Sequence, residues 1–232
     1  MEEIRTKGIV IDTQDYKEYD KLLTIFTYDR GVIKAVIKGV KKSTAKQRFA
    51  GQIFCFLDLI LTKKGSYYTI ISCDMIESFF EIAYKYDSFL LAVDFVKIVK
   101  YISKYNPDSS ELFVVFLSIL NVLHKLNANN NIVYIKFLTM TLKVLGFDHN
   151  YADCDKCHNR IRNNGYIDSK SGRILCDNCR SKYIDQISVT ELTLIKDIMM
   201  TDYVDLESIE INDDRDVSIL KFIQTLFKLS CN

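Results

Sequence analysis

The sequence predicts a multidomain α+β protein, with a small β-domain over residues 1–80 and a helical domain over 81–232. Three observations carry this prediction. The first 80 residues read as short strands rich in β-branched side chains. From Asp87 the apolar spacing becomes helical. Four of the seven cysteines then fall in a polar, aperiodic insert at 148–183.

The strands come first. Val32 to Val40 (VIKAVIKGV) alternates like a strand, with Lys34 and Lys38 on one face. Asp29, Arg30 and Gly31 form a turn back to Leu22–Tyr28, so the two segments predict a hairpin. Phe54–Thr62 and Tyr67–Cys73 flank Lys63-Lys64-Gly65-Ser66 and predict a second hairpin. Ile4–Thr13 adds a fifth strand. Five short strands in so few residues predict a small barrel or sandwich.

Helical spacing starts at Asp87 and runs to Tyr105, with Leu90, Val93, Val96, Val99 and Ile102 on a wide apolar face. Pro107 marks its stop, because the residue before a proline is pushed out of the α region. Ser110–Leu126 and Asn131–Leu145 predict two further helices that pack with the first. Gly146 offers a left-handed cap, over which Phe147 folds back. Later, Ser188-Val-Thr-Glu191 has the form of a capping box opening a helix to Met200, and a last amphipathic helix spans Arg215 to Leu229.

The cysteines of the insert follow the pattern C-x2-C-x18-C-x2-C: Cys154, Cys157, Cys176 and Cys179. Two intervening residues let both thiolates of a pair face one ion. Four thiolates complete a tetrahedron at roughly 2.3 Å from zinc, leaving no open position for water. One structural Zn2+ per chain is the reading; an iron–sulfur cluster takes the same ligands, and a redox dithiol is the other alternative. Lys156, Arg160 and Arg180 are placed to offset the charge of a zinc tetrathiolate, and Gly165 and Gly172 to make the turns between the pairs. His158 reads as part of a turn rather than a ligand, while His124 and His149 lack partners. Cys55 reads as core; Cys73 and Cys231 are isolated.

Net charge is only +1, so any attraction for polyanions must be local. It concentrates between Arg30 and Arg48, where Arg30, Lys34, Lys38, Lys41, Lys42, Lys46 and Arg48 occur without one acid. Such a surface tracks a nucleic-acid backbone, with Ser43 and Thr44 as further phosphate donors. It equally fits an edge strand guarded by lysines. Among Phe26, Tyr28, Phe49, Tyr67 and Tyr68, Tyr68 is the expected exposed platform for base stacking. Residues 185–216 reverse the sign, with ten acids against Lys196 and Arg215. That region reads as a solvated surface or a protein-contacting face.

No phosphate-binding glycine loop, nucleophile elbow or zinc-protease motif occurs, so the expectation is a protein that is not an enzyme. A thiol oxidoreductase using the cysteines is the enzymatic alternative. No export signal is visible, and no segment reaches the about 18 apolar residues of a membrane span. The chain is therefore expected in the cytoplasm, away from membranes, where cysteines stay reduced.

The order of these parts resembles the bacterial RecO family of DNA repair and recombination proteins. The resemblance runs through Lys7-Gly8-Ile9-Val10, Glu18-Tyr19-Asp20-Lys21-Leu22, Thr27-Tyr28-Asp29-Arg30-Gly31 and Lys38-Gly39-Val40-Lys41-Lys42. It continues in Leu145-Gly146-Phe147, Cys154-x2-Cys157 and Gly172-x3-Cys176-x2-Cys179. The chain departs from the family pattern at His149, often a proline, and at Ser171-Gly172, often a glycine pair. The resemblance implies an N-terminal OB-fold and binding of single- and double-stranded DNA. It also implies annealing of complementary strands, joint work with RecR, contact with the C-terminal tail of single-stranded DNA-binding protein, help in loading RecA, and a nucleoid-associated location. A non-enzymatic protein-binding adaptor with little DNA affinity is the alternative reading.

Overall fold

The computed structural model describes residues 3–65, 67–105, 110–180, 182–210 and 213–230. Ser66, Pro107 and Cys231 lie outside the described residues, as do the side chains of residues 213–216. By backbone contact the chain forms two compact units, Met1–His124 and Lys125–Asn232.

The first unit is built on a closed five-stranded barrel of order β1-β2-β3-β5-β4. Its strands are β1 (Glu3–Tyr16), β2 (Asp20–Thr27), β3 (Gly31–Ile37), β4 (Cys55–Lys64) and β5 (Tyr67–Ser78). All neighbours run antiparallel except β3 and β5. This is the OB-fold, with both predicted hairpins in place. β1 closes the barrel because it pairs with two strands at once: Gly8 and Ile9 face Thr27 and Phe26 on β2, and Leu57 and Phe56 on β4. A register shift between Val10 and Asp12 bends the strand at that point. Gly8 is required there, since a Cβ would lie 2.5 Å from Ile25 Cγ2.

Val10, Leu23, Ile25, Ala35, Leu57, Leu59 and Leu61 fill the barrel and are fully buried. Each large aliphatic among them contributes roughly 1.5–3 kcal/mol by leaving water. Cys55 and Cys73 join this core, and burial pushes their thiols up to about 12 and about 11.

Two helices complete the unit, α1 (Tyr86–Ile102) and α2 (Ser110–Lys125). Their apolar faces cover outward aromatic side chains of the barrel. Phe113 lies 5.4 Å from Phe26 and 5.8 Å from Phe56, ring to ring, and Phe54 meets Phe89 at 6.3 Å. The barrel therefore has apolar residues on both surfaces, and the first two helices belong to its compact unit. By backbone contact this unit extends to His124.

The second unit contains α3 (Asn130–Val144), β6 (Asn164–Asp168), β7 (Ile174–Leu175), β8 (Tyr183–Ser188), α4 (Val189–Met200) and α5 (Asp213–Ser230). The strands form an antiparallel sheet of order β7-β6-β8. α3 packs on α4 and α5. Gly146 (φ +90°) ends α3: its N–H donates to Lys143 O while Phe147 N–H donates to Leu142 O. Both ends of this cap match the sequence expectation. The capping box of Ser188 and Glu191 also forms. At the other end of α4, the buried ammonium of Lys136 donates to Met199 O and Thr201 O, both at 2.7 Å.

Candidate nucleic-acid interface and metal site

The basic candidates sit on β3 and the loop after it. On β3, Ile33, Ala35 and Ile37 point inward while Val32, Lys34 and Val36 point outward, and Lys38 continues that outward row. All seven predicted cations are exposed. They do not form one cluster. Arg30 sits in the β2–β3 turn beside Asp29, at 3.5 Å, the length of β3 away from Lys38. At about 3.3 Å per residue that is more than 20 Å.

Lys38, Lys41, Lys42, Lys46 and Arg48 do share one end of the barrel. The turn joining β1 to β2 holds the loop that carries them. Asp20 Oδ1 accepts from Gly39 N–H at 2.8 Å, and Tyr19 O accepts from Lys41 N–H at 3.0 Å. Lys41 Nζ meets Asp15 Oδ2 at 2.8 Å, and Lys42 Nζ lies 5.5 Å from the Tyr19 ring. This contact with Lys41 also holds the Asp15 carboxyl below its usual range. Gly39 has φ +67°, which a side chain there would resist. Lys34, Lys38, Lys42, Lys46 and Arg48 have no ion-pair partner among the described residues.

A groove of about 400 Å3 crosses this end of the barrel surface. Leu22 and Val36 form its floor, Lys17 and Lys38 bring cations, and Tyr16 and Tyr67 bring exposed rings. Tyr68, the expected stacking platform, also lines the groove but is partly buried against the barrel core, while Tyr67 is 46% exposed. The reason is a register shift where β5 faces Ile60 and Leu61. It moves the alternation by one, so inward side chains fall at 68, 70 and 73. Phe26 is core, and Tyr28 packs edge-on against Phe113 at 5.8 Å. Tyr16 and Lys17 were not singled out by sequence; both stand at the tight β1–β2 turn, where Lys17 has φ +55°.

The four cysteines of the insert do converge. Their sulfur atoms lie within 4.8 Å of one another, and Cys157 Sγ is 3.8 Å from Cys176 Sγ. Each pair sits in a turn: His158 N–H donates to Cys154 O, and Arg180 N–H to Cys176 O. His158 is exposed with φ +59°, serving as a turn residue outside the sulfur cluster. Burial works against ionisation of Cys154, but backbone N–H groups of Cys157, Cys176 and Lys156 outweigh it and bring the thiol down to about 7. Cys179 is pushed up to about 12, chiefly by its contact with Cys157 and then by burial and the other sulfurs. Four thiolates this close repel one another, and a divalent cation relieves that repulsion. The quartet can hold a metal ion.

Its surroundings differ in part from expectation. Gly172 does make a turn, with φ +64°. Gly165 does not: it lies within β6, where a Cβ would stand 2.7 Å from Leu192 Cδ1. Its role is close packing under α4. Arg180 donates to Tyr166 Oη at 2.7 Å, and that hydroxyl donates to Asp177 at 2.8 Å. Arg160 lies 3.9 Å from Asp153. His149, half of an unexpected pair, meets Asp155 at 2.8 Å, and Asp155 also accepts from Ile174 N–H. This bracket holds the first cysteine turn against β7.

The closed five-stranded barrel followed by helices and a four-cysteine insert defines an OB-fold protein with a helical C-terminal region. A family model described as recombination protein O, N terminal, matches residues 1–79, and its C-terminal counterpart matches residues 87–230. DNA repair protein RecO of Clostridium novyi (strain NT) is 26% identical over 226 residues, covering 97% of this chain and 88% of its own. That of Caldicellulosiruptor saccharolyticus is 26% identical over 230 residues, covering 98% and 92%. That of Clostridium kluyveri is 40% identical over 75 residues, covering 32% and 29%. The chain belongs to the recombination protein O family, RecO, a family of DNA repair proteins. Among the described residues no helix is long and apolar enough to cross a membrane.

Proposed function

We propose that this protein is a recombination mediator that binds single- and double-stranded DNA on the β2–β3 face of its barrel and anneals complementary strands. The groove holding Lys38, Lys17, Tyr16 and Tyr67, flanked by the unpaired cations of the 38–48 loop, carries this reading. Annealing requires no covalent step. Lysines that neutralise phosphates on two strands lower their mutual repulsion, and base pairing does the rest. Exposed rings accept any base, which suits a protein that must act on any sequence.

The family assignment supports further partners: RecR, the C-terminal tail of single-stranded DNA-binding protein, and through them the loading of RecA. In the second unit, Cys154, Cys157, Cys176 and Cys179 hold one zinc ion. The all-sulfur donor set and the N–H groups aimed at Cys154 support zinc with a structural task. It ties the two cysteine turns and the small sheet into a folded insert.

The test is charge reversal of Lys38, Lys41 and Lys42 together. The slope of log affinity against log salt for a single strand should fall by about 2, at roughly 0.7 per lost phosphate contact. Unchanged affinity and slope would refute the DNA-binding face. A strand-annealing assay with and without single-stranded DNA-binding protein tests the mediator role, and metal analysis of the purified chain tests for one zinc.

A further inference from the structure

A second depression, also of about 400 Å3, lies next to the first on the same barrel surface. It is lined by Lys34 of β3, Asp12, Gln14 and Thr24 of β1 and β2, and Lys100, Ser103 and Lys104 at the end of α1. The two depressions share no lining residue. Pairing registers set their relation. Asp12, Thr24 and Lys34 are direct cross-strand partners and form one row across the strands. Gln14, Leu22, Val36 and Thr69 form the next row, and Tyr16 and Asp20 the one after, level with Lys38. The grooves therefore run side by side across the strands. Their lysine rows are four residues apart on β3, roughly 13 Å, comparable to the roughly 12 Å width of the B-DNA major groove between its two backbones.

The second depression is built for an anion. Three lysines face it against one carboxylate, and Lys100 spends its charge on Asp12 only at 3.5 Å. Lys34 and Lys104 have no ion-pair partner among the described residues. The independent sign is Ser103. It is 9% exposed, its hydroxyl is buried, and that hydroxyl has no hydrogen-bond partner among the described residues. Buried hydroxyls nearly always have one.

We infer that Lys34, Lys100, Ser103 and Lys104 form a phosphate site for the backbone of a second DNA strand, parallel to the track through Lys38 and Tyr67. The inference rests on the proposed DNA-binding face and adds to it a place for the complementary strand. A protein with two tracks at the spacing of a duplex brings both strands together before they pair.

Three variants test it: Lys100→Gln with Lys104→Gln, Lys38→Gln with Lys42→Gln, and Ser103→Ala. The first should bind a single strand of about 8 nucleotides, the size of one OB site, within twofold of wild type. It should anneal complementary strands about tenfold more slowly, and its salt slope for duplex should fall by about 2, at roughly 0.9 per phosphate. Ser103→Ala should slow annealing several-fold without lowering the melting temperature of the free protein. Wild-type annealing and duplex slope in the first variant would overturn the second track. So would a loss of short-strand affinity equal to that of the Lys38/Lys42 variant, which means one continuous track. Stabilisation by inorganic phosphate at fixed ionic strength, abolished by the Lys100/Lys104 changes with no annealing defect, would reassign the site to a free anion. If the Lys38/Lys42 variant alone keeps full short-strand affinity, the first face fails while the second is still judged by annealing.

Discussion

The N–H of Gly39 donates a 2.8 Å hydrogen bond to Oδ1 of Asp20, fastening the basic loop to the β1–β2 turn. An acid beside the proposed DNA-binding face is otherwise a liability, since it would repel phosphate. Its position explains its presence. Asp20→Asn keeps an acceptor and removes a charge, so DNA affinity should rise slightly. Asp20→Ala removes the same charge and also the acceptor, and affinity should fall by up to about tenfold, the worth of one hydrogen bond. Fluorescence anisotropy on a short single strand separates the two. Tighter binding by both variants would reduce Asp20 to plain electrostatics.

Charge reversal at single positions should split the seven cations. Arg30 lies at the far end of β3 from Lys38 and is paired with Asp29. The distance exceeds twice the screening length of about 8 Å at physiological salt. Arg30→Glu should therefore leave single-strand affinity within about twofold, while Lys38→Glu lowers it clearly and reduces the salt slope. Equal losses at both positions would argue for DNA wrapped along the whole of β3.

Much of this was legible in the sequence for local reasons. Turn residues at Asp29-Arg30-Gly31, the cap at Gly146-Phe147 and the box at Ser188 and Glu191 act through neighbours in the chain, so short windows reveal them. The cysteine pattern was legible because two short pairs suffice to name the four sulfurs that the fold brings together. What escaped depends on pairing between distant segments. The outward turn of Tyr67 follows from a register shift against β4, and Gly165 is small because Leu192 of α4 descends on it. No local pattern marks Lys17, Lys100 and Lys104, and only the fold brings them to lysines of β3 and its loop.

Gly165 gives a stability test of that last kind. A methyl group there would press on Leu192 Cδ1 at 2.7 Å and Ile174 Cγ2 at 3.2 Å, both buried. Gly165→Ala should cost about 1–3 kcal/mol through overpacking. Adding Leu192→Ala should cost less than the sum of the two single changes, because the second creates the space the first needs. Chemical denaturation of the four proteins measures this. Strict additivity would mean that the insert sheet shifts rather than Leu192.

Loss of one metal ligand should act on the same insert from its other side. Cys176→Ser leaves three thiolates and a half-buried hydroxyl where the sulfurs now lie within 4.8 Å. Structural zinc contributes on the order of 10 kcal/mol to small metal domains, so losing a ligand should cost several kcal/mol. The variant should hold less than one zinc per chain and melt earlier. Full metal content at wild-type stability would exclude a four-sulfur site.

Lys136 makes the stability of the second unit depend on pH. Burial lowers its ammonium from 10.5 to about 8, with Asp202 opposing the shift and Lys143 adding to it. Below pH 8 the folded and unfolded chains both carry the proton, and folding bears the full cost of burying the charge. Between about 8 and 10.5 the unfolded chain holds the proton that the folded chain has released. Stability attributable to this group must therefore rise with pH across that window, by roughly 3 kcal/mol. The neutral amine still donates hydrogen bonds to Met199 O and Thr201 O, so the end of α4 stays capped throughout. Lys136→Met has no such proton to release. The difference in unfolding free energy, wild type minus variant, should be flat below pH 7.5 and climb toward pH 10. A flat difference throughout would mean that the two carbonyls and the Tyr203 ring, 4.9 Å away, compensate the buried charge in full.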